Sequence, residues 1–217
     1  LMLLAALSAT SLAQQPYVEV SHATRTLAGT RIEPRVVKRD GNGNYYVASV
    51  ETFMDGGQKA SFVVTKFSAA GALLWTRSYP RNIVSVLGSF EVSQDGHSFI
   101  CGQYGTQTAS HALLICYDTA GVNTWVKRKF GAPGYGASGS GLVLMPDQTV
   151  TWSGGYGDGF WTFGSFFERV SAAGAVLWTR LYAAKNLMPI ELTTDEAGYI
   201  YGFGDNFDNT LYFCKLT

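Results

Sequence analysis

Short runs rich in Val, Ile, Thr, Tyr and Phe recur along the chain, each closed by a cluster of Gly, Asp, Asn, Ser or Ala. β-Branched and aromatic residues suit a pleated, half-buried surface, and Gly, Asp and Asn suit tight turns. Each run therefore predicts a strand and each cluster a turn. The first group predicts strands a to d near Arg35–Arg39, Tyr45–Glu51, Ser61–Phe67 and Leu73–Tyr79. The second predicts Phe90–Ser93, Ser98–Gln103, Ala112–Tyr117 and Thr124–Phe130. The third predicts Leu142–Met145, Thr149–Gly154, Ser165–Val170 and Val176–Tyr182. The fourth predicts Ile190–Thr193, Tyr199–Phe203 and Leu211–Leu216, without a strand d. Asp40, Asp95, Asp147 and Asp195 mark the a–b turns, and small residues recur in strand b at Ala48, Gly102, Gly154 and Gly202.

The groups are copies of one another. Ser68-Ala69-Ala70-Gly71-Ala72-Leu73-Leu74-Trp75-Thr76-Arg77 returns as Ser171-Ala172-Ala173-Gly174-Ala175-Val176-Leu177-Trp178-Thr179-Arg180, with a looser copy at Asp118–Lys127 around Gly121 and Trp125. The three glycines are spaced by 50 and 53 residues, and so are the three tryptophans. A period of this length in a strand-rich chain signals a repeat architecture. The expected fold is an all-β β-propeller of four blade repeats, about 34–80, 88–130, 140–182 and 188–217, the last lacking its outer strand. A single blade cannot bury both faces, so blades stack. The recurring tryptophans are expected to pack between them.

This pattern of strand, Asp turn, strand, loop, strand, Ala-Gly turn and Leu-Trp-Thr-Arg resembles the SBBP-type and PQQ-like β-propeller repeats of secreted bacterial proteins, over residues 34–217. The resemblance implies architecture more than activity. It implies a place in a larger exported or surface protein, with further blades and a sorting domain. Two ring sizes fit: part of a six-to-eight-bladed ring, or a four-bladed ring closed by a strand from residues 17–30. Both ends look cut, which favours the first.

The chain has 217 residues, with sixteen basic and sixteen acidic side chains. That balance leaves no electrostatic footprint for nucleic acid. Residues 1–13 read as the back half of a secretory signal peptide, with Ser11 and Ala13 at the small-residue cleavage positions. Residues 14–33 form a separate N-terminal segment, and no later stretch is a transmembrane candidate. Cys101 and Cys116 flank one predicted hairpin; burial as small hydrophobes is favoured over a disulfide. Neither a metal site nor a cofactor is expected. His22, His97 and His111 are unrelated in repeat position, and Gly154–Gly159 leads into a strand rather than a helix. Asp40-Gly41-Asn42-Gly43-Asn44 resembles half a calcium loop, but Tyr45 stands where its sharp turn needs glycine.

Binding chemistry is expected on the face carrying the irregular b–c and d–a loops: Phe53–Ala60, Tyr104–Ser110, Tyr156–Thr162 and Asp205–Asn209, then Pro80–Gly88, Gly131–Gly139 and Ala183–Leu187. Candidate residues there are Asp55, Tyr104, Tyr135, Tyr156, Asp158, Phe160, Trp161, Asp205, Phe207 and Asp208, an aromatic and acidic set suited to a glycan or protein ligand. Glu91 and Glu191, read at one place in strand a, are candidate channel carboxylates for polysaccharide hydrolysis or lysis. The expected function is a non-catalytic, exported binding module. The alternatives are that propeller hydrolase or lyase and, from the resemblance alone, a quinone-dependent dehydrogenase fragment.

Overall fold

A computed structural model describes residues 29–54, 59–106, 109–132, 135–159, 162–182, 187–206 and 211–216. The expected signal peptide lies outside these residues, as does the expected closing strand up to residue 28; Thr30 already opens the first strand, which takes in the end of the expected N-terminal segment. Fifteen strands form four antiparallel sheets, and the described residues contain no helix. The first sheet holds β1 (Thr30–Arg39), β2 (Tyr45–Phe53), β3 (Ala60–Phe67) and β4 (Leu73–Ser78). The second holds β5 (Val84–Val92), β6 (Ser98–Gly105), β7 (Ser110–Tyr117) and β8 (Asn123–Phe130). The third holds β9 (Ala137–Leu144), β10 (Val150–Gly159), β11 (Thr162–Val170) and β12 (Val176–Tyr182). The fourth holds β13 (Leu187–Thr194), β14 (Ile200–Asn206) and β15 (Leu211–Leu216). Each sheet is a meander in chain order.

The a–b turns superimpose through their backbone bonds. Asp40, Ser93, Met145 and Asp195 each donate N–H to the carbonyl four residues on. The repeated aspartates are therefore not all equivalent: Asp40 and Asp195 open their turns, whereas Asp95 and Asp147 stand two residues into theirs. The fourth turn residue has positive φ in every sheet: Gly43, Gly96, Gln148 and Gly198. Gln148, at φ 64°, is the one residue there with a side chain. A left-handed conformation costs an L-residue roughly 1–2 kcal/mol, and glycine's extra chain entropy returns about 0.5–1. Gln148→Gly is expected to stabilise the protein by about 0.5–1 kcal/mol, read as a higher urea midpoint with an unchanged slope.

Strand a is longer than its hydrophobic pattern predicts, because every copy carries a bulge at one place. The extra residues are Arg35, Gly88, Ser140 and Ile190, each five before the first turn residue. A bulge shifts the alternation by one, so the upstream half no longer reads as the same strand. It also explains the small residues of strand b. A Cβ placed at Gly102 would lie 2.1 Å from Val86 O, and one at Gly154 would lie 1.9 Å from Ser138 O. The equivalent positions in the outer sheets are Ser49 and Gly204, not Ala48 and Gly202. A second bulge before each Trp leaves Leu74 and Leu177 exposed.

The sheets stack in chain order, and their first strands neighbour one another in succession. Three apolar cores fill the gaps. Tyr46, Phe62 and Val64 meet Phe90, Ile100 and Leu113; Phe99, Cys101 and Leu114 meet Leu142, Trp152 and Phe166; Val143, Met145 and Phe167 meet Leu192, Ile200 and Leu216. Cys101 and Cys116 are buried thiols in the middle core, with no disulfide between them. Cys101 is opposite Leu114 and Cys116 opposite Phe99, so the two sit diagonally on the ladder rather than as a facing pair. Burial pushes both thiols up, to about 12 and about 11, which leaves them unreactive.

The repeated Trp and Gly interlock neighbouring sheets. The Trp75 indole N–H donates to Thr119 O at 3.1 Å, and that of Trp125 donates to Ala172 O at 2.9 Å. Each accepting turn seats the ring on its glycine: a Cβ at Gly121 would lie 2.9 Å from Trp75, and one at Gly174 would lie 2.7 Å from Trp125. Gly71 keeps the same positive φ in the first sheet, and Trp178 packs against the third core. Arg77 stacks on Trp75 and donates to Gly121 O and Ala120 O at 2.9 and 3.2 Å.

Candidate functional site

A cavity opens on the b–c and d–a loop face, between the first and second sheets. It has a volume of about 750 Å³. The end of β2 (Thr52, Phe53) with Met54 forms one wall, and Ile83, Ser85, Val86 and Leu87 at the start of β5 form the other. Glu33 and Arg35 of β1 stand at its rim. The walls are fixed by backbone. Ala60 and Asn82 exchange N–H to carbonyl bonds at 2.7 and 2.9 Å, tying the connection into β5 to the first sheet. The Ser85 hydroxyl adds a bond to Ala60 O at 3.1 Å.

Charge in the cleft is local and paired. The Glu33 carboxylate bridges Arg31 at 3.0 Å and Arg35 at 2.5 Å. The Arg81 guanidinium lies 3.5 Å from the Phe53 ring centre and covers that aromatic face. Ile83 and Val86 remain 46% and 55% exposed, and Met54 is also open. The result is an apolar hollow with a zwitterionic rim.

The structure distributes the sequence candidates differently. Tyr104 is 9% exposed and packs edge-on to Tyr79 and His111. Burial, then the Arg128 charge, hold His111 below its ordinary pKa. Tyr156 covers Gly164, where a Cβ would lie 2.4 Å from its ring, and Tyr135 covers Gly157, where a Cβ would lie 2.7 Å from the tyrosine Cβ and 3.3 Å from its ring. Tyr104 belongs to the core between the first and second sheets, where it also meets Phe62, and Tyr156 packs against the core between the second and third. Asp158 and Asp205 are placed by their strands, β10 and β14. Asp55, Phe160, Trp161, Phe207 and Asp208 lie outside the described residues.

Glu91 and Glu191 are not equivalent: one precedes its first turn residue, Ser93, by two positions, and the other precedes Asp195 by four. Glu91 pairs with Lys38 at 2.8 Å. Glu191 lines a shallow hollow of about 300 Å³ on the fourth sheet with Thr193, Tyr201, Phe203 and Phe213. The two carboxylates belong to different environments and share no site. Among the described residues no group of three His, Cys, Asp or Glu side chains could hold a metal ion, and no helix is long and apolar enough to cross a membrane.

The cleft residues lie mostly within the Phe53–Ala60 and Pro80–Gly88 stretches expected to form the binding face. Aromatic and acidic content points to other residues; Ile83 and Val86 give no chemical signal in sequence. Their location follows only once the bulge at Gly88 is known to extend β5 back to Val84.

These four stacked meanders make an all-β, propeller-like repeat protein. No family model matches the sequence, and no curated protein matches it. Among solved structures, a point mutant of the Synechocystis apocarotenoid oxygenase matches with a TM-score of 0.42 and 11% identity, over 87% of this chain and 47% of that one. An ACO/RPE65 chimera matches with 0.42 and 10%, over 85% and 46%. A glucose dehydrogenase matches with 0.37 and 13%, over 83% and 81%. The chain spans about half the length of the oxygenase structures it matches. At this level of similarity no activity, substrate or cofactor carries over.

Proposed function

We propose that this chain is a non-catalytic β-propeller module that binds a partner in the cleft between its first two sheets, as part of an exported or cell-surface protein. The four sheets are read as consecutive blades. Their chain-order stacking and adjacent first strands support this, as does the repeated Trp-to-turn interlock. The apolar segment before Ala13 supports export.

The observation that carries the binding reading is the cleft itself. Its walls are tied together by backbone bonds, and they keep large aliphatic side chains in water. A preformed apolar hollow with few polar groups is the usual form of a recognition site. Its chemistry favours a peptide over a sugar. A sugar ring stacks on an open aromatic face, and here Arg81 covers Phe53. Ile83, Val86 and Met54 suit an aliphatic side chain, with the Glu33–Arg35 pair meeting the partner's backbone or charges.

The test is an array of peptides and hexose oligosaccharides probed with the labelled chain. Ile83→Glu and Val86→Glu sit on exposed positions and should leave thermal unfolding within about 0.5 kcal/mol of the parent. Each is expected to weaken peptide binding at least tenfold. Absence of any binder, or binding indifferent to both changes, overturns the proposal.

A further inference from the structure

The paired charges at the cleft between the first two sheets do not cancel. Its rim strand, β1, carries Arg31, Glu33 and Arg35. The ladder sets Arg31 opposite Thr52 and Glu33 opposite Val50, both lining residues, and Arg35 is the bulged residue beside them. One carboxylate serves both guanidinium groups, each on a different oxygen. The Arg31 and Arg35 side chains are still 72% and 57% exposed. Arg81 adds a third guanidinium, over Phe53. Nearby acidic residues do not balance them. Glu51 is 2% exposed and alternates to the other face of β2 from Val50 and Thr52. Glu91 sits at the turn end of β5 with Lys38. Among the described residues the rim therefore holds an excess of positive charge.

The backbone donors along the walls are already engaged. Phe53 N–H donates to Lys59 O at 2.8 Å and Met54 N–H to Gly29 O at 2.9 Å, while Ala60 and Asn82 serve each other. The Ile83 N–H donates to the Asn82 side-chain oxygen at 2.8 Å. An extended ligand therefore gains little by adding a strand here. A chain terminus finds no cradle of N–H groups, the usual holder of a terminal carboxylate. Selection falls to side chains. A guanidinium offers five N–H donors in a planar fork that matches a carboxylate. Arg31 and Arg35 each commit one nitrogen to Glu33, at 3.0 and 2.5 Å. That shared anchor holds both forks at one place on the rim and lowers the cost of ordering them on binding.

Resting on the cleft reading above, we propose that the partner is an acidic and aliphatic peptide segment. One aliphatic side chain fills the hollow beside Met54, Ile83 and Val86, and a neighbouring Asp or Glu side chain is taken by Arg31 and Arg35. Glu33 acts as a positioning residue for the two guanidinium groups. A lysine in place of that acid meets like charge and is rejected, so the cleft selects by sign as well as by shape.

The probe is a set of acetylated, amidated peptides in which each aliphatic core is made in three versions, flanked by Glu, Gln or Lys. Capping removes both chain termini as a source of charge. The full chain is expected to bind the Glu version about fivefold more tightly than the Gln version at about 0.05 M salt, with the Lys version weakest. The preference is expected to shrink toward unity at about 1 M salt. Arg31→Gln combined with Arg35→Gln, both at exposed positions, is expected to bring the Glu-to-Gln ratio to one or below. Ile83→Ser is expected to weaken all three versions. Equal binding of the three versions, still weakened by Ile83→Ser, overturns the charge selection and leaves the cleft reading standing; no binding of any version overturns both. A preference for Lys, or a preference for Glu that survives loss of both arginines, also overturns the proposal.

Discussion

Lys129→Met is expected to destabilise the protein by about 3 kcal/mol, toward the lower end of what removing one partner of a buried ion pair costs. Lys129 of β8 reaches across to the third sheet and meets Glu168 of β11 at 2.5 Å. The Glu168 side chain is 9% exposed and also accepts from the Trp152 indole at 3.1 Å and from Thr179 at 2.8 Å. Those two donors remain in the variant, which keeps the cost from rising further. Burial pushes the Glu168 pKa up, but the hydrogen bond from Lys129, that from Thr179 and the lysine charge outweigh it, so the carboxyl sits below the ordinary glutamate range. A depressed folded-state pKa gives stability that is complete above the unfolded value and is lost as pH falls through the folded one. The parent is therefore expected to lose stability on acidification in that window, and Lys129→Met is expected to lose less. Lys129→Met with Glu168→Gln should recover part of the loss, because no buried charge is left alone. Urea unfolding at neutral and acid pH reads all three. A cost below about 1 kcal/mol for Lys129→Met would show that the pair is solvated rather than buried.

Gly154→Ala is expected to cost about 3 kcal/mol or more, at or beyond the upper end for inserting one methyl into a packed site. The new Cβ would stand 1.9 Å from Ser138 O and 2.7 Å from the Phe166 ring. Relief requires moving the bulged β9 away from β10 or displacing a fully buried phenylalanine. The first sheet carries Ser49 at this register, but there the opposing residue is Val63, smaller than Phe166. Calorimetry should show a midpoint lower by about 6–12 °C. Gly139→Ala, where the nearest atoms stand at 3.2 Å, is expected to cost less than half as much. Equal effects at both glycines would mean that the bulge does not set the need for a small residue.

The repeat, its turns and its strand order are legible in the sequence because Trp, Gly and Asp mark them at a fixed period. The bulges are not. Arg35, Gly88, Ser140 and Ile190 have nothing in common as residue types, so the place where alternation slips emerges only from the ladder. That slip hid the upstream halves of β5 and β9 and misaligned Ala48 and Gly202 with their true counterparts. The pairing of Glu91 with Glu191 has another source: Asp95 and Asp195, from which both are counted, stand at different places in their turns. The irregular loops are legible from the strand order, but which of their side chains stay exposed is not. Tyr104, Tyr135 and Tyr156 close gaps over glycines and between rings, roles for which aromatic character is as necessary as it is for binding. The residues left open, Ile83 and Val86, look in sequence like ordinary core.

The most direct test of the binding account is amide chemical-shift mapping on the full chain with the tightest peptide from the array. The cleft reading predicts shifts concentrated at Thr52–Met54 and Ile83–Leu87, with the turns at Asp40–Asn44, Ser93–His97 and Asp118–Val122 unmoved. Shifts concentrated at those turns, on the opposite face, would contradict it.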